Sequence, residues 1–123
     1  MKVLLSIKPE FADKIFDGTK KFEFRRTIFS KTPINTVIVY ASSPIQRVIG
    51  EFEINQVLFD EIDILWRLTR DYAGIDEDYF FKYFSDRDKG YAIEIKEVTK
   101  YKTPLLLKER YQIQPPQSFA YVL

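Results

Sequence analysis

Apolar residues in this chain recur mostly at every second position and take up a helical period in only two regions. That pattern confines the fold to a sheet with a few packed helices. "VLLSI" near the start reads as a buried strand. Pro9 then suits the first turn of a helix with Phe11, Ile15 and Phe16 on one face and Gly18 as its stop. "KFEFRRTIF" alternates as a strand, with Phe22 and Phe24 on one side and Lys21, Glu23 and Arg25 on the other. "NTVIVYAS" and "QRVIGEFEINQVLF" follow as strands, and the apolar parity of the second shifts near Asn55 and Gln56, which predicts a bulge. From Asp60, a plausible N-cap, the period turns helical through Ile62, Leu65, Trp66, Thr69 and Tyr72 to a stop at Gly74. A second helix starts at Asp76, with an aromatic face of Tyr79, Phe80, Tyr83 and Phe84. "GYAIEIKEV" and the end of "PPQSFAYVL" return to strand. The order β-α-β-β-β-α-α-β-β predicts an α+β fold, a small, largely antiparallel curved sheet or barrel with helices packed at its side.

A chain of 123 residues, with no linker, repeat or low-complexity stretch, predicts one domain over 1–123. Its formal net charge of +1 exerts no global pull on nucleic acid or anionic membrane, so a basic site has to be local. The chain has no Cys and no His, which removes disulfides, thiol nucleophiles, zinc thiolate sites and the commonest general base. Chemistry is left to Lys, Asp/Glu, Tyr and Ser/Thr, or to a hard ion on oxygen ligands. No apolar run approaches the roughly 20 residues of a membrane span, and the first residues lack the apolar length of a signal peptide, so a cytoplasmic protein is expected. No cofactor and no metal site are expected either. The acids Asp76, Glu77 and Asp78 suit the positive end of a helix better than a metal.

Charge concentrates in "GTKKFEFRR", where Glu23 stands among four cations. Side chains two apart on a strand lie roughly 7 Å apart on one face, so Lys21, Glu23 and Arg25 form a line with a shared acid. As a solvated ladder each exposed pair is worth about 0–1 kcal/mol. As a binding site, Lys20, Lys21, Arg25 and Arg26 face a polar ligand and Glu23 holds a base in place. Lys8, just before Pro9, stands at a helix start that favours anions. Tyr40, Ser42 and Ser43 end a strand, where their hydroxyls either meet a ligand or cap the turn, and Gln117 and Ser118 either close a cleft or satisfy the last strand. Trp66, Phe80 and Phe84 are read as core.

Three stretches together carry a family resemblance: "SIKPEFADKIFDGTKKFEFRR", the pair of strands in "VIVYASSPIQRVIGEFEI", and the terminal "PPQSFAYV". With Gly18, Lys20, Glu23 and Arg25 in the turn and strand after the first helix, the chain resembles the ASCH domain family, a branch of the PUA-like β-barrels. The resemblance implies a five- or six-stranded barrel with a cleft beside its helices, and a role in binding RNA or a modified nucleotide. It favours Glu23 as a residue that orients Lys20 or Arg25 toward the ligand. Some small members hydrolyse acylated cytidine with a lysine, a threonine three residues on and a glutamate from the later helices. Here Lys20 matches the lysine, Glu23 stands at the threonine's place, and Asp76 and Glu77 are the alternatives for the third group. A hydrolase or nuclease working through Lys20 and Glu23 is therefore the alternative to a binding module.

Overall fold

The computed structural model describes residues 1–31 and 33–123. Six strands, β1 (Lys2–Ile7), β2 (Phe22–Arg25), β3 (Thr36–Ala41), β4 (Arg47–Glu61), β5 (Lys89–Leu105) and β6 (Phe119–Val122), form one sheet in the order β2-β5-β4-β3-β1-β6. All neighbours are antiparallel except β1 and β3. The helices are α1 (Pro9–Asp17), α2 (Ile62–Thr69), α3 (Glu77–Tyr83) and α4 (Leu107–Tyr111), with a 3-10 turn at Arg70–Tyr72.

The apolar run of β1 is continuous because both of its faces are covered. Val3, Leu5 and Ile7 pack with Ala12 and Ile15 of α1 and with Val37, Val39, Phe52 and Ile93. Leu4, on the opposite face, packs with Ile38, Tyr40, Val48, Leu107 and Val122. A third cluster joins Phe22 and Phe24 to Leu65, Phe80 and Phe84, with Trp66 packed against it, so the aromatics read as core are core. The bulge near Asn55 is present: β4 pairs Ile54 with Ile95 but Gln56 with Glu94, leaving Asn55 as the extra residue.

The barrel expectation is corrected. The sheet is open: β2 and β6 are its two edges, and no ladder joins them among the described residues. Both edges are only four residues long. Pro115 and Pro116 lie shortly before β6 and lack the N–H groups that a closing ladder needs. The gap is spanned by a side chain, since Arg25 of β2 donates from Nη2 to the Ser6 carbonyl (2.9 Å) and from Nη1 to the Ser118 carbonyl (3.4 Å).

Other boundaries shift for local reasons. β4 runs through Asp60, so Asp60 caps nothing; its carboxylate accepts from the Glu61 N–H, and α2 begins at Ile62. β2 stops at Arg25 instead of reaching Phe29. β5 continues past Val98 to Leu105 because β4 is long enough to pair with it down to Val48, and α4 follows where no helix was predicted.

Candidate functional site

Gly18 ends α1 with φ +87°, the left-handed cap that glycine adopts without strain. The chain turns there, and Asp17 accepts from the backbone N–H (2.8 Å) and hydroxyl (2.6 Å) of Thr19, which drives Lys20 inward. Lys20 is 2% exposed. Its Nζ donates to the Ala73 carbonyl at 2.7 Å and lies 4.9 Å from the centroid of Phe24 and 5.4 Å from that of Phe11. Gly74 closes over its stem: φ is +69°, and a Cβ there would stand 2.5 Å from Lys20 Cβ and Cγ. Desolvation outweighs the attraction of Glu23 and pushes the Lys20 ammonium down to a pKa of about 8, with Lys14 and Arg25 adding to the fall.

Glu23 and Arg25 are buried, at 7% and 9% exposed, so the ladder is not solvated. Glu23 Oε2 and Arg25 Nη2 are 3.0 Å apart. Among the described residues, Glu23 makes no ion pair with Lys20, and Arg25 Nε is buried without a hydrogen-bond partner. Phe22 and Phe24 turn to the aromatic cluster while Glu23 and Arg25 face the space between α1, α3 and the segment before β6.

That space is a cleft of about 700 Å³. Lys20, Glu23 and Arg25 line it together with Lys8 and Arg26, and Tyr40, Ser42, Ser43, Gln117 and Ser118 complete the expected set. Lys21 does not belong: it lies just before β2, is exposed, and sets its Nζ 4.8 Å over the Tyr72 ring. Lys8 is exposed and its Nζ lies 5.5 Å over the Tyr79 ring, while Arg26 donates to the Tyr83 carbonyl (2.9 Å) and stacks 4.2 Å over that ring. Ser42 and Ser43, foreseen either to meet a ligand or to cap the turn, line the cleft. The Ser42 carbonyl closes the turn, accepting from Ile45 and Gln46, and neither hydroxyl bonds another described residue. Ser118 lines the cleft, and its carbonyl accepts from Ser6 N of β1 and from Arg25 Nη1 of β2, not from the last strand.

Asp76 and Glu77 are outside the cleft, whose lining holds one carboxylate, Glu23, against five cations including Arg87. Asp76 N-caps α3, its Oδ1 accepting from Tyr79 N at 2.8 Å. No group of three acids is placed to hold a metal among the described residues. Asp76→Ala is thus expected to lower stability by about 1 kcal/mol in a denaturant titration and to leave the cleft's ligand affinity unchanged.

The sequence reading missed Ser6, Thr27, Gln46, Tyr79, Tyr83 and Arg87 as lining residues. Two of them carried a signal. Tyr79 and Tyr83 are four apart, as are Phe80 and Phe84, so α3 sets a hydroxyl-bearing stripe on the cleft beside a phenyl stripe in the core. The Tyr83 hydroxyl donates to the Phe24 carbonyl at 3.2 Å, and burial raises its pKa. Ser6 and Arg87 had none, because an alternating strand and a mixed charge run look alike whether or not a cleft lies beside them.

The ASCH domain family model matches residues 5–114. The chain is 30% identical over 124 residues to the ASCH domain-containing ribonuclease of Zymomonas mobilis, covering 98% of this chain and 84% of that protein. It is also 32% identical to the large ribosomal subunit protein uL22 of Ureaplasma parvum, again over 98% of this chain, but it spans only 39% of that relative's length. The crystal structure of ASCH from Zymomonas mobilis superposes with a TM-score of 0.91 at 29% identity, covering 99% of this chain and 87% of that one. A tyrosine-to-phenylalanine variant of the same protein superposes with a TM-score of 0.89 at 29% identity, with 99% and 90% covered. With the family model matched over residues 5–114 and the Zymomonas ribonuclease matched at 30% identity over most of its length, the chain belongs to the ASCH domain family.

Proposed function

We propose that the domain binds single-stranded RNA in this cleft and cleaves it there. The observation that carries the reading is a buried lysine of lowered pKa at the floor of a cleft whose lining has five cations, one carboxylate and three tyrosines. The volume is that of a small-ligand site and suits a nucleotide better than a duplex. Lys8, Arg26 and Arg87 face phosphate oxygens, and the tyrosine rings offer flat faces to bases. With a pKa of about 8, Lys20 carries its proton in most molecules at neutral pH and neutralises a phosphate. The minority in the free-amine form can take the proton of an attacking hydroxyl. Arg25 is held in place by Glu23 and two carbonyls, so little rotamer entropy is lost when it meets the ligand.

The name of the Zymomonas relative supports cleavage, since that protein is matched over most of its length. The uL22 match carries no argument about function, because a stretch shared with a much longer protein need not share its role. The acyl-nucleoside hydrolase reading is weakened by two features. Glu23 occupies the hydroxyl's place and is bonded to Arg25, and neither Asp76 nor Glu77 reaches the cleft.

The test is a titration of labelled single-stranded RNA at several salt concentrations, followed by incubation with Mg²⁺ and with a chelator. Affinity is expected to fall by about 0.7 log units per phosphate contact for each log unit of salt, and single strands are expected to be shortened while duplexes stay intact. Absence of binding at low salt, or a response flat in salt, would overturn the proposal. Binding without cleavage under either condition would remove its catalytic half.

A further inference from the structure

Beyond the cleft, the ends of β4 and β5 present an aromatic platform. Phe59 and Tyr91 are cross-strand partners whose rings stack at 4.4 Å with a 30° tilt, yet Phe59 remains 52% exposed. An exposed aromatic ring alone is ordinary. This one lines a concavity of about 580 Å³ with Arg26, Arg87 and Lys89, and Lys89 Nζ lies 5.6 Å over its ring. Against these three cations stands Asp88 in the lining, with Asp86 in a long, exposed contact of 4.0 Å to Arg87. Arg26, Thr27 and Arg87 line both concavities, so the two adjoin.

We infer that this platform is a second nucleotide subsite, which takes the base next along the strand from the nucleotide in the cleft, with the linking phosphate on Arg26 and Arg87. The inference rests on the RNA-binding reading above. Its physical basis is twofold. The Phe59 ring is already stacked against Tyr91 at a 30° tilt, so stacking a base on it costs little ordering. The cations shared with the cleft put phosphate-binding charge along the path between the two positions. Every base has a π-face, so the subsite is expected to tolerate any sequence.

The experiment compares a nucleoside monophosphate with a single-stranded hexanucleotide, each labelled, on the intact protein and on Phe59→Ala and Phe59→Tyr. The hexanucleotide is expected to bind more tightly than the nucleoside monophosphate, and Phe59→Ala to weaken the hexanucleotide about tenfold while leaving the nucleoside monophosphate unchanged. Phe59→Tyr, which keeps the ring, is expected to retain the parent's affinity. A 2-aminopurine placed along the hexanucleotide should be quenched by the parent and regain fluorescence with Phe59→Ala. If Phe59→Ala binds the hexanucleotide as the parent does, or weakens the hexanucleotide and the nucleoside monophosphate equally, the subsite is refuted while RNA binding by the cleft stands. If the parent binds neither ligand, both readings fall together.

Discussion

Glu23→Gln is expected to cost about 3 kcal/mol of folding stability, several times what a rung of an exposed charge ladder is worth. The two side chains are buried and 3.0 Å apart, so removing the carboxylate's charge leaves a guanidinium in a desolvated place. Glutamine keeps one oxygen for Arg25 Nη2, and the Ser6 and Ser118 carbonyls remain, but none of these carries a full negative charge. Arg25 Nε already has no partner among the described residues, so the site offers no spare acceptor there to absorb the change. The damage extends to the architecture, because Arg25 is the side chain that ties β2 to β1 and to the segment before β6 across the open side of the sheet. Urea unfolding of parent and variant at neutral pH measures the difference; a change within about 0.5 kcal/mol would show the pair to be energetically idle. RNA affinity is expected to drop about tenfold as Arg25 loses its anchor, although a negative charge has been removed near phosphate. An affinity equal to or above the parent's, with the fold intact, would sink the view that Glu23 orients the site.

Lys20→Met is expected to abolish RNA cleavage and to remove a pH dependence from the protein's stability. The folded pKa is about 8 against 10.5 for an ordinary lysine. Below about pH 8 both folded and unfolded chains carry the proton, and the folded state bears the full cost of a buried charge. Between 8 and 10.5 the unfolded chain still holds its proton while the folded one has released it, so stability rises with pH. Over that window the parent gains on the order of 3 kcal/mol relative to Lys20→Met, which keeps an apolar stem and has nothing to titrate there. Other lysines and tyrosines titrate in both proteins and cancel in the difference. Unfolding free energies of the pair at pH 7 and pH 10 check it, and a parent-minus-variant difference that stays constant would mean that Lys20 is hydrated in the folded state. At neutral pH the variant also leaves the Ala73 carbonyl unpaired, which offsets part of the benefit of deleting a buried charge.

Local pattern determined much of this protein. The order of the strands and of the first three helices, the helix stop at Gly18, the helix start at Asp76 and the bulge at Asn55 were legible because each depends on neighbours within a few residues. So was the cluster around Lys20, since the turn after α1 and the alternation of β2 place those residues together. The terminal Pro-Pro segment, distant in sequence, joined the reading through the family resemblance. Tertiary structure decided the rest. Alternation sent Glu23 and Arg25 to the face opposite Phe22 and Phe24 but could not say whether water or protein covered it; α1, α3 and the Pro115–Ser118 segment cover it, and burial turned a charge ladder into an ion pair. Lys21 has the same parity and chemistry as its neighbours, yet one step before the strand it packs on Tyr72 outside the cleft. Whether the sheet closes was decided by two four-residue edges and by Arg25 reaching across between them, contacts separated by 19 and 93 positions along the chain. Lys20's pKa likewise depends on Ala73, Gly74 and two phenyl rings packed around it. Desolvation depends on everything packed around a group, and only the folded chain brings those atoms together.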